Sequence, residues 1–269
     1  MSDPSYVPLD PLEPAAPPPP PVACWRCGKT AAAAQPTCPY CAAALAPASW
    51  AQSAEDARAA APVLRVFALY AAMLATTLLG ALALGAMAEA RGPLPEITSD
   101  EVLIPTVVLE GIDALLVVFA LAWIALPRFE KPDAAWRAVA WLAALPTLAA
   151  LLAVNLLYHA VLREVALLDV FDQGVECPQH QLYLWIGVIC LQPAIVEELF
   201  FRYQAFGAIR SVTGPHSAVF LTAAMFAVAH IAVPLSLPML FLLGVGLGYL
   251  RLASGSLLLP MVIHFLHNA

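Results

Sequence analysis

Charge is what this sequence has least of. Only 12% of its 269 residues are charged, against roughly 25% in a soluble domain. Hydrophobic residues make up 62%, and the mean hydropathy is +0.81. An ordinary soluble enzyme is excluded. Cations are scarcer than anions: 12 Lys and Arg against 19 Asp and Glu leave a formal charge of −7. There is no broad basic surface to gather phosphates, which excludes a nucleic-acid binder. The N-terminus lacks the positive start and apolar core of a signal peptide. What is abundant is long apolar segments, and these define an all-α polytopic membrane protein.

The composition changes along the chain. Residues 1–22 hold nine of the 25 prolines, including the run Pro17 to Pro21. Such a segment cannot bury enough surface to offset its chain entropy and reads as a Pro-rich disordered tail. Residues 23–42 contain Cys24-Trp-Arg-Cys27 and, ten residues on, Cys38-Pro-Tyr-Cys41. Each pair fits a tight turn that aims two thiolates at one point. Two such turns facing each other form the tetrahedral four-sulfur site that Zn²⁺ prefers, closed and therefore structural. Gly28 and Pro39 suit these turns. The pattern resembles a zinc ribbon, with two disulfides as the alternative; a cytosolic location disfavours disulfides. The module could also bind a protein partner. Residues 43–62, rich in Ala, read as a linker with partial helical character. Cys177 and Cys190 fit no pairing pattern, and Cys190, in an apolar run, reads as a small packed hydrophobe.

From residue 63 to 269 the sequence reads as one transmembrane domain. About seven apolar segments are expected, near 63–88, 102–127, 138–161, 183–209, 216–233, 236–252 and 255–269, the last of them short. Arg26, Lys29, Arg58 and Arg65 precede the first segment. Arg128, Lys131 and Arg137 follow the second, Arg210 the fourth and Arg251 the sixth; the opposite loops hold only Arg91 and Arg163. The positive-inside rule then predicts a cytosolic N-terminus, in a bacterial inner membrane for a chain of this Ala-, Leu- and Pro-rich composition.

Ionisable residues inside a bilayer are costly, so they are paired or functional. Segment four carries Glu197-Glu198-Leu-Phe-Phe-Arg202. Residues four apart share a helix face, so Glu198 can pair with Arg202. Glu197 lies about 100° away and has no such partner. Segment five carries Phe226-Ala-Val-Ala-His230, and segment seven His264-Phe-Leu-His267-Asn268. Counted from the cytosolic ends at 1.5 Å per residue, Glu197, His230 and Asn268 all fall roughly 20 Å deep, with His264 one turn nearer the cytosol. Glu110 and Asp113, at i,i+3 in segment two, fit either a cavity wall or, slightly better, the outer interface. Asn155 and His159 read as interhelical or interfacial.

The three motifs EExxxR, FxxxH and HxxxN, in this order and each on an apolar segment, resemble the CPBP family of CAAX-processing and bacteriocin-processing (Abi) membrane proteins. The resemblance covers roughly residues 180–269 and implies an intramembrane glutamic endopeptidase that needs no metal for catalysis. It implies Glu197 as the base that activates water, His230 holding and polarising that water, and His264 and Asn268 stabilising the oxyanion. Glu198 and Arg202 would support the site, and Phe226 would pack beside it. The cysteine module is an addition that these motifs do not require, and the sequence stops one residue after Asn268, so a later helix is not expected. The resemblance implies peptide or membrane-protein substrates.

Two other functions fit the same residues. A zinc-dependent intramembrane metalloprotease would use Glu197, Glu198, His230 and His264 as ligands, although no HExxH motif is present. A non-catalytic membrane adaptor or immunity-type protein would use the cysteine module to recruit a partner. An unpaired Glu beside His and Asn is more than a scaffold requires.

Overall fold

The computed structural model describes residues 21–24, 26–32, 35–43, 45, 53–91, 99–124, 126, 132–166 and 179–269. The tail to residue 20, Cys177 and the acidic residues Asp169, Asp172 and Glu176 lie outside them. The chain divides into two compact units between residues 48 and 49.

In the first unit, strands β1 (Val22–Ala23) and β2 (Thr30–Ala31) pair antiparallel, Val22 opposite Ala31. They bracket the first Cys-x-x-Cys turn. The two turns repeat one backbone pattern. Gly28 N–H donates to the Cys24 carbonyl at 2.8 Å and Ala42 N–H to that of Cys38 at 2.8 Å. Cys24 N–H donates to Lys29 and Cys38 N–H to Ala43. Gly28 and Ala42 occupy the same place after the second cysteine of each pair, both at positive φ (71° and 58°). Glycine takes that conformation freely; alanine carries a steric cost there.

The second unit is a helical bundle. Helix α1 spans Ser53–Arg91, α2 Ser99–Trp123 and α3 Ala134–Ala166. A continuous helical run, α4, covers Gln179–Thr213; α5 is Pro215–Ala229, α6 Leu237–Ser254 and α7 Leu258–Asn268. This is the expected seven-segment pattern, with α1 taking in residues 53–62 of the Ala-rich stretch. Among the described residues, five helices are long and apolar enough to cross a membrane. At 1.5 Å per residue, α5 reaches only about 22 Å and α7 about 17 Å, against a hydrocarbon core of about 30 Å. Segment five is thus shorter than its hydropathy implied. It ends at Ala229, and a turn leads to a 3₁₀ turn at Pro234–Ser236.

Helix α4 is not regular. It contains two π-helical stretches, Ile186–Leu191 and Leu199–Ala205, with the seven residues Gln192–Glu198 α-helical between them. Such insertions widen the helix locally and recur at functional sites.

Packing is closest between α5 and α6. A Cβ on Gly244 would stand 2.9 Å from Ala223 Cα, and one on Gly248 would stand 2.9 Å from Val219 Cγ1. These two glycines form a small-xxx-small face, which lets membrane helices approach backbone to backbone. Between them and α4 lies an aromatic core. Phe200, Phe201 and Phe226 are fully buried; Phe201 meets Phe200 and Phe226 edge-on, at 4.8 and 5.3 Å between centroids. Tyr70 of α1 stacks on Phe200 at 6.1 Å and donates its hydroxyl to the Met225 carbonyl at 2.7 Å. Gln204 of α4 donates to the Val117 carbonyl of α2 at 3.1 Å. In a bilayer core such bonds replace the water that backbone carbonyls would otherwise seek.

Candidate active site and cysteine cluster

The two short helices end inside the bundle, beside the α-helical turn of α4 that carries the paired glutamates. His230 follows the last residue of α5, and its Nδ1 lies 2.9 Å from the Phe226 carbonyl. A carbonyl only accepts, so Nδ1 carries the proton and the Nε2 of the neutral ring offers its lone pair. That Nε2 lies 3.7 Å from Glu197 Oε1. On α7, His264 Nδ1 lies 3.0 Å from Glu198 Oε1 and donates to it, while its Nε2 lies 3.7 Å from Glu197 Oε2. Glu197 therefore stands between two imidazole nitrogens supplied by two other helices.

The adjacent carboxylates have different surroundings. Glu198 is fully buried, and its Oε1 is also ion-paired with Arg202 Nη1 at 3.1 Å. Arg202, itself 1% exposed, stacks over Phe226 at 4.7 Å and reaches toward the Gly244 carbonyl at 3.4 Å. That carbonyl comes within range because α6 lies so near. Glu197 keeps 18% of its side chain accessible and faces a cavity of about 320 Å³, and its Oε2 has no hydrogen-bond partner among the described residues. Asn268 lines the same cavity and spends one amide N–H on the Ile189 carbonyl at 3.2 Å. The backbone carbonyl of Asn268 accepts from Cys190 Sγ at 3.2 Å, so that cysteine has a polar contact as well as a packed position. Phe226 lies edge-on to His264 at 5.7 Å. All six candidate residues, Glu197, Glu198, Arg202, His230, His264 and Asn268, thus come together from α4, the end of α5 and α7.

Some participants were not legible in sequence. Glu110 lines the cavity, the first of the two placements open to it, because the α2 face bearing Thr106 and Glu110 at i,i+4 turns toward α4. Gln192 fixes that approach by donating to the Glu110 backbone carbonyl at 2.9 Å. Arg251 counted only as a loop cation in sequence. It lies in the last turn of α6, buried, with Nε 3.3 Å from the Arg202 carbonyl inside the second π-helical stretch. The Gly244-x-x-x-Gly248 spacing was the one available signal for the close α5–α6 contact.

The cysteine cluster is a separate centre. The ligand atoms of Cys24, Cys27, Cys38 and Cys41 all lie within 4.8 Å of one another, and these four residues can hold a metal ion. The nearest sulfurs pair across the two turns, Cys24 with Cys41 and Cys27 with Cys38, each at 3.6 Å. A tetrahedron with 2.3 Å metal–sulfur bonds has edges of about 3.8 Å, so the donor set fits. Burial raises both Cys24 and Cys41. In Cys24 it is outweighed by backbone N–H groups of Cys27 and Arg26 and by the Cys41 and Cys38 thiols, which bring it down to about 6; Cys41 is pushed up to about 12. Four thiols this close do not ionise together without a cation among them.

Fold and site define an integral membrane helical protein with a carboxylate–imidazole centre inside its bundle. Residues 179–269 match the family model described as type II CAAX prenyl endopeptidase Rce1-like, so the C-terminal third, α4 to α7, carries the pattern of that endopeptidase family. No curated protein and no solved structure matches the chain.

Proposed function

We propose that the protein is an intramembrane endopeptidase in which Glu197 activates the attacking water. The observation that carries this reading is the contrast between neighbours: Glu198 is held by Arg202 and His264, while Glu197 faces a cavity with an imidazole nitrogen 3.7 Å away on either side. That spacing is too long for a direct hydrogen bond, and a water bound to Glu197 on its cavity side would lie within reach of both rings. Water bound to Glu197 gives one proton to the carboxylate as its oxygen attacks the peptide carbonyl; Glu197 then returns that proton to the departing amine. His230 Nε2 accepts from the same water and orients it. The developing oxyanion takes the second amide N–H of Asn268 and, when His264 carries both protons, its Nε2–H. Glu198 and Arg202 are positioning residues: Glu198 holds His264 Nδ1, Arg202 holds Glu198, and neither touches substrate.

The test is cleavage of a quenched-fluorescence peptide panel by the full chain in detergent. The panel includes C-terminally prenylated peptides, because the matched family is described by that substrate. Wild type should cleave, and Glu197→Gln should lose about 10³-fold or more in kcat/KM while inserting and folding normally. An equally active Glu197→Gln variant would end the reading.

A second reading has one observation in its favour. Both Nε2 lone pairs point toward Glu197, each ring being held at Nδ1, which is how histidines are presented to a metal. Zinc on Glu197, His230 and His264 would then activate the water. The chelator arm uses a Cys24→Ser/Cys41→Ser chain, so that only the membrane site responds. The glutamate reading expects cleavage to survive chelation; the metal reading expects loss and restoration by zinc. The four cysteines we assign to a structural zinc ion, with about one ion per chain expected by elemental analysis and none in the double serine variant. The module lies on the cytosolic side by the positive-inside rule, and protease accessibility of residues 21–45 in oriented vesicles tests that.

A further inference from the structure

The cavity has a charge pattern that hydrolysis alone does not require. Glu197 supplies one carboxylate and Glu110, from α2, a second. Among the described residues no lysine or arginine lines it: Arg202 is buried against Glu198, and the only nitrogen bases in the wall are His230 and His264. Asp113, one turn along α2, lies within electrostatic range of Glu197, as Glu110 does, and its buried Oδ1 has no hydrogen-bond partner among the described residues. The Gln192 bond to the Glu110 carbonyl pins this part of α2 against α4, five residues before Glu197. Glu110 lies outside the matched segment 179–269.

We infer that Glu110 makes the cavity selective for a peptide bearing a cationic side chain, lysine or arginine, next to the scissile bond. The inference rests on the endopeptidase reading. Two carboxyl groups in a poorly hydrated wall that carries no lysine or arginine attract a cation and repel an acidic side chain. Glu197 is occupied with the water, which leaves Glu110, backed by Asp113, to receive the ammonium or guanidinium group.

The experiment compares one peptide in three versions, with Lys, norleucine or Glu at each position flanking the cleaved bond, in the full-length wild type, Glu110→Gln and Glu110→Asp. The readout is the Lys/norleucine ratio of kcat/KM within each variant, so a general loss of activity cancels. Wild type should prefer Lys by about ten- to a hundredfold, the range of a partly desolvated charge pair, and disfavour Glu. Glu110→Gln should bring the ratio near unity, and Glu110→Asp should keep most of it. An unchanged ratio in Glu110→Gln, or no preference in wild type, overturns the inference and leaves the endopeptidase standing. Should nothing be cleaved, the same ratio is read from Kd values of uncleavable reduced-amide analogues. A Lys preference that depends on Glu110 then upholds the charge selectivity while the peptidase reading fails; equal binding ends both.

Discussion

The two halves of the bundle are built by different rules. In α1, α2 and α3 only 22, 17 and 11% of the most apolar window is buried within the protein, against 39% in α4 and 33% in α6. Among the described residues, every buried polar or charged side chain except His159 lies between residues 179 and 269. The first three helices mainly have to be apolar, since most of their surface faces lipid. The last four must pack against one another and satisfy a buried carboxylate, a guanidinium and an imidazole. The family match covers only the second half, the part where residue identity is constrained by contact. Glu110 is the outer half's carboxyl in the cavity wall, as Tyr70 is its ring in the aromatic core.

Substitutions measure that contrast. The largest effect belongs to Glu197→Gln, with a loss of about 10³-fold or more in activity and little change in stability. Next comes Arg202→Met. It leaves Glu198 buried beside His264 without its cation, and removing one partner of a buried pair costs about 3–5 kcal/mol. Thermal unfolding in detergent should record that loss, and Glu198→Gln in the same chain should recover much of it. If Arg202→Met unfolds no earlier than wild type, the inner half is not organised around this pair. Gly244→Val follows. Its Cβ would stand 2.9 Å from the Ala223 backbone, which cannot yield as a side-chain end can, so α5 and α6 must separate. Overpacking of this kind costs about 1–3 kcal/mol. It should also lower activity, because the separation carries His230 away from Glu197.

Much of this was legible in sequence, for definite reasons. Apolar segments are long and the loops between them hold the charges, so helix number and approximate bounds follow from hydropathy. The i,i+4 spacing of Glu198 and Arg202 follows from helical geometry, and the structure joins them at 3.1 Å across the start of a π-helical stretch. The cysteine spacing places four sulfurs together because each turn is local. Non-local effects were not legible. Hydropathy alone extends segment five to residue 233, while the helix stops at Ala229 because His230 caps it with its own ring on the Phe226 carbonyl. Arg251 looks like a loop cation until α6 is seen to deliver it to the Arg202 carbonyl. The facing of Glu110 depends on how α2 rotates against α4, and a Gln192 contact 82 residues away fixes that rotation.

The smallest effect gives the sharpest control. Gly85 in α1 and Gly111 in α2 have nothing within 4 Å of where a Cβ would go. Alanine at either position adds no clash and removes the entropic cost of a helical glycine, about 0.5–1 kcal/mol. Gly85→Ala and Gly111→Ala should therefore leave unfolding unchanged or raise it slightly, whereas Gly248→Ala, which meets Val219 at 2.9 Å, should lower it. The same chemical change then has opposite signs at these positions. Measured in one detergent by one melting assay, equal effects at Gly111 and Gly248 would mean that the outer helices are packed as tightly as the inner ones. Opposite signs would mean that the α5–α6 contact at Gly248 is close packed while the α2 face at Gly111 is open.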